Sequence, residues 1–600
     1  MAVKKEWQGV EDRLTGWFNS VLTVWDSWRQ EAYRYREFYE GKQWTPEEKA
    51  ELERLGQPVI TVNHIWSKIN SLVGLLLAQE PQIKCLPRGK HDAKVASVAT
   101  SVIRYVFDIN QVNSVLADVF LDMLTTGIGW VDVRVNPFLS YDPILIEYVP
   151  FDEVVFDPLA RRPDLSDARF VFRIRWIERD LVIKHYPKAE KVIKRMMKEG
   201  ELRAGGSVNG VASGVAGGVR GSFDRLALWF DMDRDMVLVV EAQFRDMQEE
   251  DVIWDGVQAE KYIPELHDEL VRLGVVSVRR MVIPVYKRAV LIGGEVILIE
   301  DMPFSSQGFS LIPFVAYRRI DGLPLSLVSV VKDIQDEINK RRSKVLHYLQ
   351  AVRVVAEEGA IVDPNQFMEE LRRPDALLTF RRGMQVQIER DIEVGVQHFQ
   401  LMQEAINEMS LITGIYPDFV GQPTNARTGV ALRMRILQSQ NSVQKYFSAM
   451  ERGLKQIAER VLALVKQFYT PERIMQLVDE TFDFGLGSGV EVKEDVIQVR
   501  NTLSSLRADI IVRVRPSGMT EREEQLVQLV ELLKSMPPEF VMWSLDLLID
   551  AFDIPQKEEV KKRFMALLAM QMQAQQAELQ QAQGVEGGGE GGNQVEEVQA

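Results

Sequence analysis

The chain has 600 residues, of which 46% are hydrophobic and 26% charged, so several folded domains are expected rather than one oversized core. Its formal net charge of −15 disfavours a sequence-specific or histone-like grip on DNA, but leaves open a conduit, where deep electrostatic binding would hinder sliding. A single cysteine, Cys85, excludes an intrachain disulfide and a cysteine-rich zinc module, and no two of the six histidines have the i, i+4 spacing of metal ligands.

The opening, "MAVKKEWQGV", lacks the apolar run of a signal peptide. The most apolar short run, residues 71–78, is far below the ~20 residues of a membrane span. A soluble intracellular protein is expected. The first element is an aromatic helix in which Trp17, Val21, Val24, Trp25, Trp28, Tyr35 and Phe38 share a stripe. That stripe reads as a docking face in a core or subunit contact rather than a base-stacking surface. Gly41 ends the helix, and Thr45 caps the next with Pro46 at its first position.

A short strand near residue 57 should lead into a helix over 63–79 that Pro81 stops. Two further helices are predicted over 92–109 and 112–126. Residues 127–136, "GIGWVDVRVN", alternate like a half-buried strand. Strands follow near 168–175, 226–230, 236–244, 281–286 and 296–299. Residues 199–222 are Gly- and Ser-rich without a period and read as a mobile surface loop. They lack the "GxxxxGK[ST]" form of a phosphate loop, as does "GKQW" at 41–44, so an ATP-driven motor or nuclease is disfavoured.

Leu327, Val331, Ile334, Ile338, Val345, Leu349 and Val352 form the apolar stripe of a long helix, with Asp336–Lys340 and Glu337–Arg341 spaced for ion pairing. Its run "NKRRSK" places Lys340, Arg341, Arg342 and Lys344 around most of the helix. They read either as a solvated or intersubunit ion-pairing face, or as a basic belt around DNA. A small α+β insertion follows, with short strands near 360–362, 376–380 and 385–388. Phe399, Met402, Ile406 and Met409 then mark a shorter amphipathic helix.

Residues 414–429 are punctuated by Gly414, Pro417, Gly421, Pro423 and Gly429, so neither flanking helix runs through them. A loop of this length is usually functional or disordered. It holds no His, Cys or acidic cluster, so contact rather than chemistry is its expected role. Val443, Phe447, Met450, Leu454, Ile457, Val461, Leu464 and Phe468 then alternate steps of four and three, the stripe of a long core helix. A strand at 509–515, a capping box from Thr520 to Glu523 and Gln- and Ala-rich helices up to residue 583 complete the chain. Its Gly-rich tail, 584–600, is expected to be disordered.

The order of these parts resembles the portal proteins of tailed bacteriophages, most nearly the short-tailed type. Asp333, Gln335, Ile338, Asn339, Arg342 and Ser343 match the descending stem helix of that family. Asn63, Gly74, Pro81 and Ile83 match an earlier helix and its exit, and "ITGIYPDFVGQPTNARTGVAL" matches the return into a tunnel loop. Many relatives have Ser-Gly where Thr428-Gly429 stands here. The resemblance implies an α+β, predominantly helical, multidomain ring with a central channel. Its wing would cover 1–326, stem helix 327–355, clip 356–394, returning stem helix 395–413 and tunnel loop 414–429. A long wing helix at 430–470, C-terminal wing strands with a helical crown or short barrel at 471–583, and the tail would follow.

The function it implies is non-enzymatic: passage of double-stranded DNA, without sequence specificity, through a vertex of the virion during packaging and ejection. It implies a homo-dodecamer with a formal charge of twelve times −15, or −180. Partners would be the large terminase subunit, the major capsid and scaffolding proteins and tail adaptors, assembled in the host cytoplasm, with no membrane, metal or cofactor. Pro423, Thr424, Asn425, Ala426 and Arg427 would touch the DNA backbone, Arg427 either through a phosphate or through an ion pair to a neighbouring subunit. Arg372, Arg373, Arg381 and Arg382 would lie on the partner-docking clip. The rival reading is a helical virion adaptor or scaffold with no DNA channel.

Overall fold

In this computed structural model the chain divides into two units, Met1–Pro516 and Ser517–Ala600. The structure describes residues 2–78, 81–87, 93–136, 142–204, 229–231, 234–254, 259–262, 268, 271–272, 277–302, 308–350, 352–371, 373, 375, 377–389, 392–416, 429–470, 473 and 508–513. The second unit, with the capping box, the Gln-rich helix and the tail, lies outside them. So does most of the Gly-rich stretch, although its first residues, 199–204, are the last turns of helix Glu190–Ala204 rather than loop.

The aromatic helix runs over Ala2–Tyr39, and Gly41 follows it at φ +90°. Its stripe is a core-docking face: Phe18, Val21, Trp25, Trp28 and Phe38 are buried. Val24 is exposed instead, lying at the edge of the stripe, roughly 60° of helix from the centre of the Val21–Trp25–Trp28 line. Trp17 stacks on Phe170 at 4.9 Å, and Trp25 meets Phe156 edge-on at 4.6 Å. The buried indole N–H groups of Trp25 and Trp28 donate to the carbonyls of Phe156 and Pro324, so neither is left unsatisfied. Thr45 and Glu48 form the reciprocal capping box of helix Pro46–Arg54.

The helix is packed on a seven-stranded antiparallel sheet. Its main order is Glu295–Asp301, Ser277–Ile292, Met236–Trp254, Phe170–Glu178 and Val154–Phe156, and Phe230–Asp231 and Ala259–Lys261 also pair with Met236–Trp254. The central strands run longer than the sequence predicts, because charged residues such as Glu249 and Arg280 beyond the apolar segment stay in the ladder.

A three-stranded sheet, Leu311–Phe314, Gly129–Val135 and Ile144–Val149, lies beside it. The middle strand does not show the expected half-buried alternation. Trp130 to Val133 are all buried, because both faces are covered. Gly129 lies against Val119 of helix Val112–Thr125, where a Cβ would come within 2.2 Å of the Val119 carbonyl oxygen. On the other face Trp130 meets Phe156 of the larger sheet, and Asp132 pairs with Arg173 at 3.0 Å. Burial works against the Arg173 charge, but Asp132, Glu147 and Glu153 outweigh it and hold its pKa above the usual value. Burial, helped by Glu241, pushes the Asp132 carboxyl up.

The helix Gly429–Phe468 carries the predicted stripe: Val443, Phe447, Met450, Leu454, Ile457, Val461 and Leu464 are buried, whereas Phe468, its last residue, is exposed. The strand Ala508–Arg513 pairs antiparallel with Gln82–Pro87.

Candidate functional site

The segment that carries most of the predicted site residues is a helical hairpin. Ser326 starts it, its hydroxyl accepting from the Ser329 amide at 2.9 Å. The descending helix covers Leu327–Gln350 and the returning helix Ile392–Thr413. Between them a two-stranded sheet pairs Arg353–Ala356 with Val386–Glu389, and a short helix spans Pro364–Leu371. The expected strands at 360–362 and 376–380 are not formed among the described residues. Gly359 and Gly383 take positive φ there, and the Arg381 amide closes back on the Ala360 carbonyl at 3.0 Å. Leu349, at the last turn of the apolar stripe, is exposed, as is Phe399, since the hairpin projects beyond the core that buries Leu327 to Ile338.

One face of the descending helix is polar and buried. Gln335, Asn339 and Ser343, at i, i+4 and i+8, are all almost inaccessible. They meet the backbone of residues 60–64, which join no sheet although a strand is expected there. The Gln335 carbonyl oxygen accepts from the His64 amide at 3.1 Å, and its amide donates to the Val62 carbonyl at 2.7 Å. Asn339 accepts from the Val62 amide at 2.9 Å, and Ser343 from Ile60 at 3.4 Å. The helix side chains take the place of a neighbouring strand. Gln43 extends the network, donating to the Phe38 carbonyl and to Asn63, which caps helix His64–Leu77 by accepting from Trp66.

The four basic residues of the descending helix differ in what they meet. Lys340 pairs with Glu48 at 3.1 Å rather than with Asp336, which pairs with Lys332 at 3.3 Å. One helical turn separates both lysines from Asp336, and the Pro46–Arg54 helix supplies Lys340 with a carboxylate of its own. Burial opposes the charge of Glu48, but the Thr45 amide and Lys340 outweigh it and hold its carboxyl below the usual range. Arg341 pairs with Glu337 as expected. Arg342 is half-buried and Lys344 exposed, and neither pairs with a described carboxylate. Asp333, Asp336, Glu337, Lys340, Arg341, Lys344 and His398 line an open groove of about 450 Å³. His398 stacks on Tyr348 at 5.8 Å and lies 3.4 Å from an Arg341 nitrogen. Its pKa is lowered by burial and by the Lys344 and Arg341 charges.

Arg373, Arg381 and Arg382 are exposed in the connection between the hairpin helices, Arg373 paired with Glu370 at 3.2 Å. No contact among the described residues joins them to the basic residues of the descending helix. Arg372 and the loop residues Pro423, Thr424, Asn425, Ala426 and Arg427 lie outside the described residues. The loop's root is described: Gly414 has φ +68°, and a Cβ there would lie 2.3 Å from the Ser442 side chain. Sequence reasoning missed Lys68, whose ammonium donates to the Ser410 hydroxyl at 3.0 Å and to the Ile415 carbonyl at 2.8 Å. The signal was present, since Lys68 is the sole Asp, Glu, Lys or Arg in helix His64–Leu77.

No group of three His, Cys, Asp or Glu among the described residues could hold a metal, and no described helix is long and apolar enough to cross a membrane. The sequence model of the phage P22-like portal protein family matches residues 15–599. The chain belongs to that family. It is 20% identical over 260 residues to the portal protein of Helicobacter pylori bacteriophage KHP30, an alignment covering 41% of this chain and 41% of the relative. It is 22% identical over 516 residues to the portal protein of Acyrthosiphon pisum secondary endosymbiont phage 1, covering 80% of this chain and 69% of that one. The alignment thus spans less than half the length of the first relative. Among solved structures, a chain of the virion of a native gene transfer agent particle aligns at 11% identity with a TM-score of 0.28, over 76% of this chain and 94% of that one. Portal membership makes this chain a phage virion component of a structural rather than catalytic family.

Proposed function

We propose that the chain assembles as a closed ring at one capsid vertex, that double-stranded DNA is packaged and ejected through its channel, and that it catalyses no reaction itself. Family membership carries this reading. The hairpin is compatible with it: Val330, Leu349, Val396, Leu411 and Ile412 are exposed on its two helices and offer apolar side chains to a neighbouring copy. A repeated head-to-tail contact on such surfaces closes into a ring when the rotation allows. The hairpin helices would be the stem, residues 356–394 the clip, and the sheets with helix Gly429–Phe468 the wing.

In this arrangement Arg342 and Lys344, which pair with no carboxylate among the described residues, are the belt residues best placed to meet DNA phosphates. Lys340 and Arg341 are engaged by Glu48 and Glu337. Arg427 would touch the backbone from the tunnel loop together with Pro423 to Ala426. Arg372, Arg373, Arg381 and Arg382 would face the large terminase subunit and then the tail adaptors, while the wing meets capsid and scaffolding proteins during assembly in the host cytoplasm.

The test is packaging itself. Heads assembled without this protein should hold no DNase-protected genome, and adding the full chain during assembly should restore it. Full packaging by heads that lack the protein would contradict the proposal and favour an adaptor or scaffold.

A further inference from the structure

Helix His64–Leu77 touches both helices of the hairpin. At its first residue it is tied to the descending helix through Gln335, and Asn339 holds Val62 just before it. One turn later Lys68 reaches the carboxyl end of the returning helix, where Thr413, Gly414 and Ile415 are buried. Lys68 gives hydrogen bonds to two neutral oxygens, Ser410 Oγ and the Ile415 carbonyl. No described carboxylate lies within ion-pair distance of it. An ammonium at a helix carboxyl end faces the negative end of the helix dipole and carbonyls that have no partner within the helix. Gly414 is in turn pressed against Ser442 so closely that no Cβ fits. The end of the returning helix is therefore held by Lys68 and by close contact with helix Gly429–Phe468.

We propose that Lys68 is a positioning residue, fastening the end of the returning helix to helix His64–Leu77 and so fixing the point from which the chain departs after Tyr416. The descending and returning helices are then held in register by one short helix, and a displacement of either is felt by the other. This deepens the conduit reading without depending on it, because the fastening is read out without DNA.

The experiment is amide hydrogen exchange on the assembled full-length protein, comparing wild type with Lys68→Met and Lys68→Arg. Loss of a charged donor to a buried carbonyl should speed exchange of residues 410–416 in Lys68→Met by about tenfold or more. Lys68→Arg should keep most of the protection, and strand Met236–Trp254 should exchange as in wild type in both. Should Lys68→Met fail to fold, Ser410→Ala removes one of the two acceptors and should give a smaller rise confined to the same residues. Unchanged exchange at 410–416, or a rise spread equally over Met236–Trp254, would overturn the proposal. A packaging defect with normal exchange would leave the conduit reading intact and reject the role of Lys68.

Discussion

At the scale of single residues, two positions show how close contacts and buried charge decide the outcome of a substitution. Gly453 lies in the middle of helix Gly429–Phe468, where alanine would ordinarily gain about 1 kcal/mol. Here a Cβ would come within 2.2 Å of the Phe314 ring, and Phe314 is buried in the three-stranded sheet. Gly453→Ala should therefore destabilise the chain by about 1–3 kcal/mol, read as a lowered urea midpoint, and a stabilised variant would contradict the packing described. Lys68 supplies a pH dependence. Burial lowers its pKa from 10.5 to about 8, so the fastened state holds its proton less tightly than an opened, solvated one. Between pH 8 and 10.5 the opened state binds more protons, and raising the pH across that window favours the fastened state. His64, one turn away and itself lowered by burial, titrates below it. Once the intrinsic pH dependence of exchange is divided out, opening at residues 410–416 should become rarer up to pH 10.5, and this trend should vanish in Lys68→Met.

At the scale of elements, the buried row Gln335, Asn339 and Ser343 is an unusual way to satisfy an extended segment. Side chains on one helix stand where a strand edge would be, and each is matched to a named backbone group of residues 60–64. Asn339→Leu keeps the branched shape but orphans the Val62 amide and one Gln43 partner. A cost of about 1–3 kcal/mol per orphaned buried group is expected, together with faster proteolysis within residues 57–63. Unaltered proteolysis there would mean that the network does not hold the segment. The same row explains part of what was legible in sequence. The helices were visible because their apolar stripes repeat at the helical period, as Val443 to Leu464 do. The matching of Gln335 and Asn339 to the family was also visible, but their role was not, because polar residues on a helix read as solvent-facing until a partner from nearly 280 positions away is seen to cover them.

At the scale of the whole molecule, the sheets were the least legible part. Gly129–Val135 reads as half-buried, and becomes buried on both faces only when helix Val112–Thr125 and the Arg173–Asp132 pair close over it. Strands such as Leu311–Phe314 are too short to carry a period at all. The basic belt was legible as charge, while its partial neutralisation by Glu48 depends on a helix distant in sequence. The family was legible from the order of helix, insertion, helix and punctuated loop, and its sequence model spans nearly the whole chain. Ring formation is the central claim, and the most direct measurement is native mass combined with class averages of the purified protein. Twelve chains of 68.6 kDa give about 823 kDa, and a particle near that mass with a central hole is predicted, with eleven- or thirteen-fold rings also consistent with a closed repeat. A protein that stays monomeric at high concentration would contradict the account.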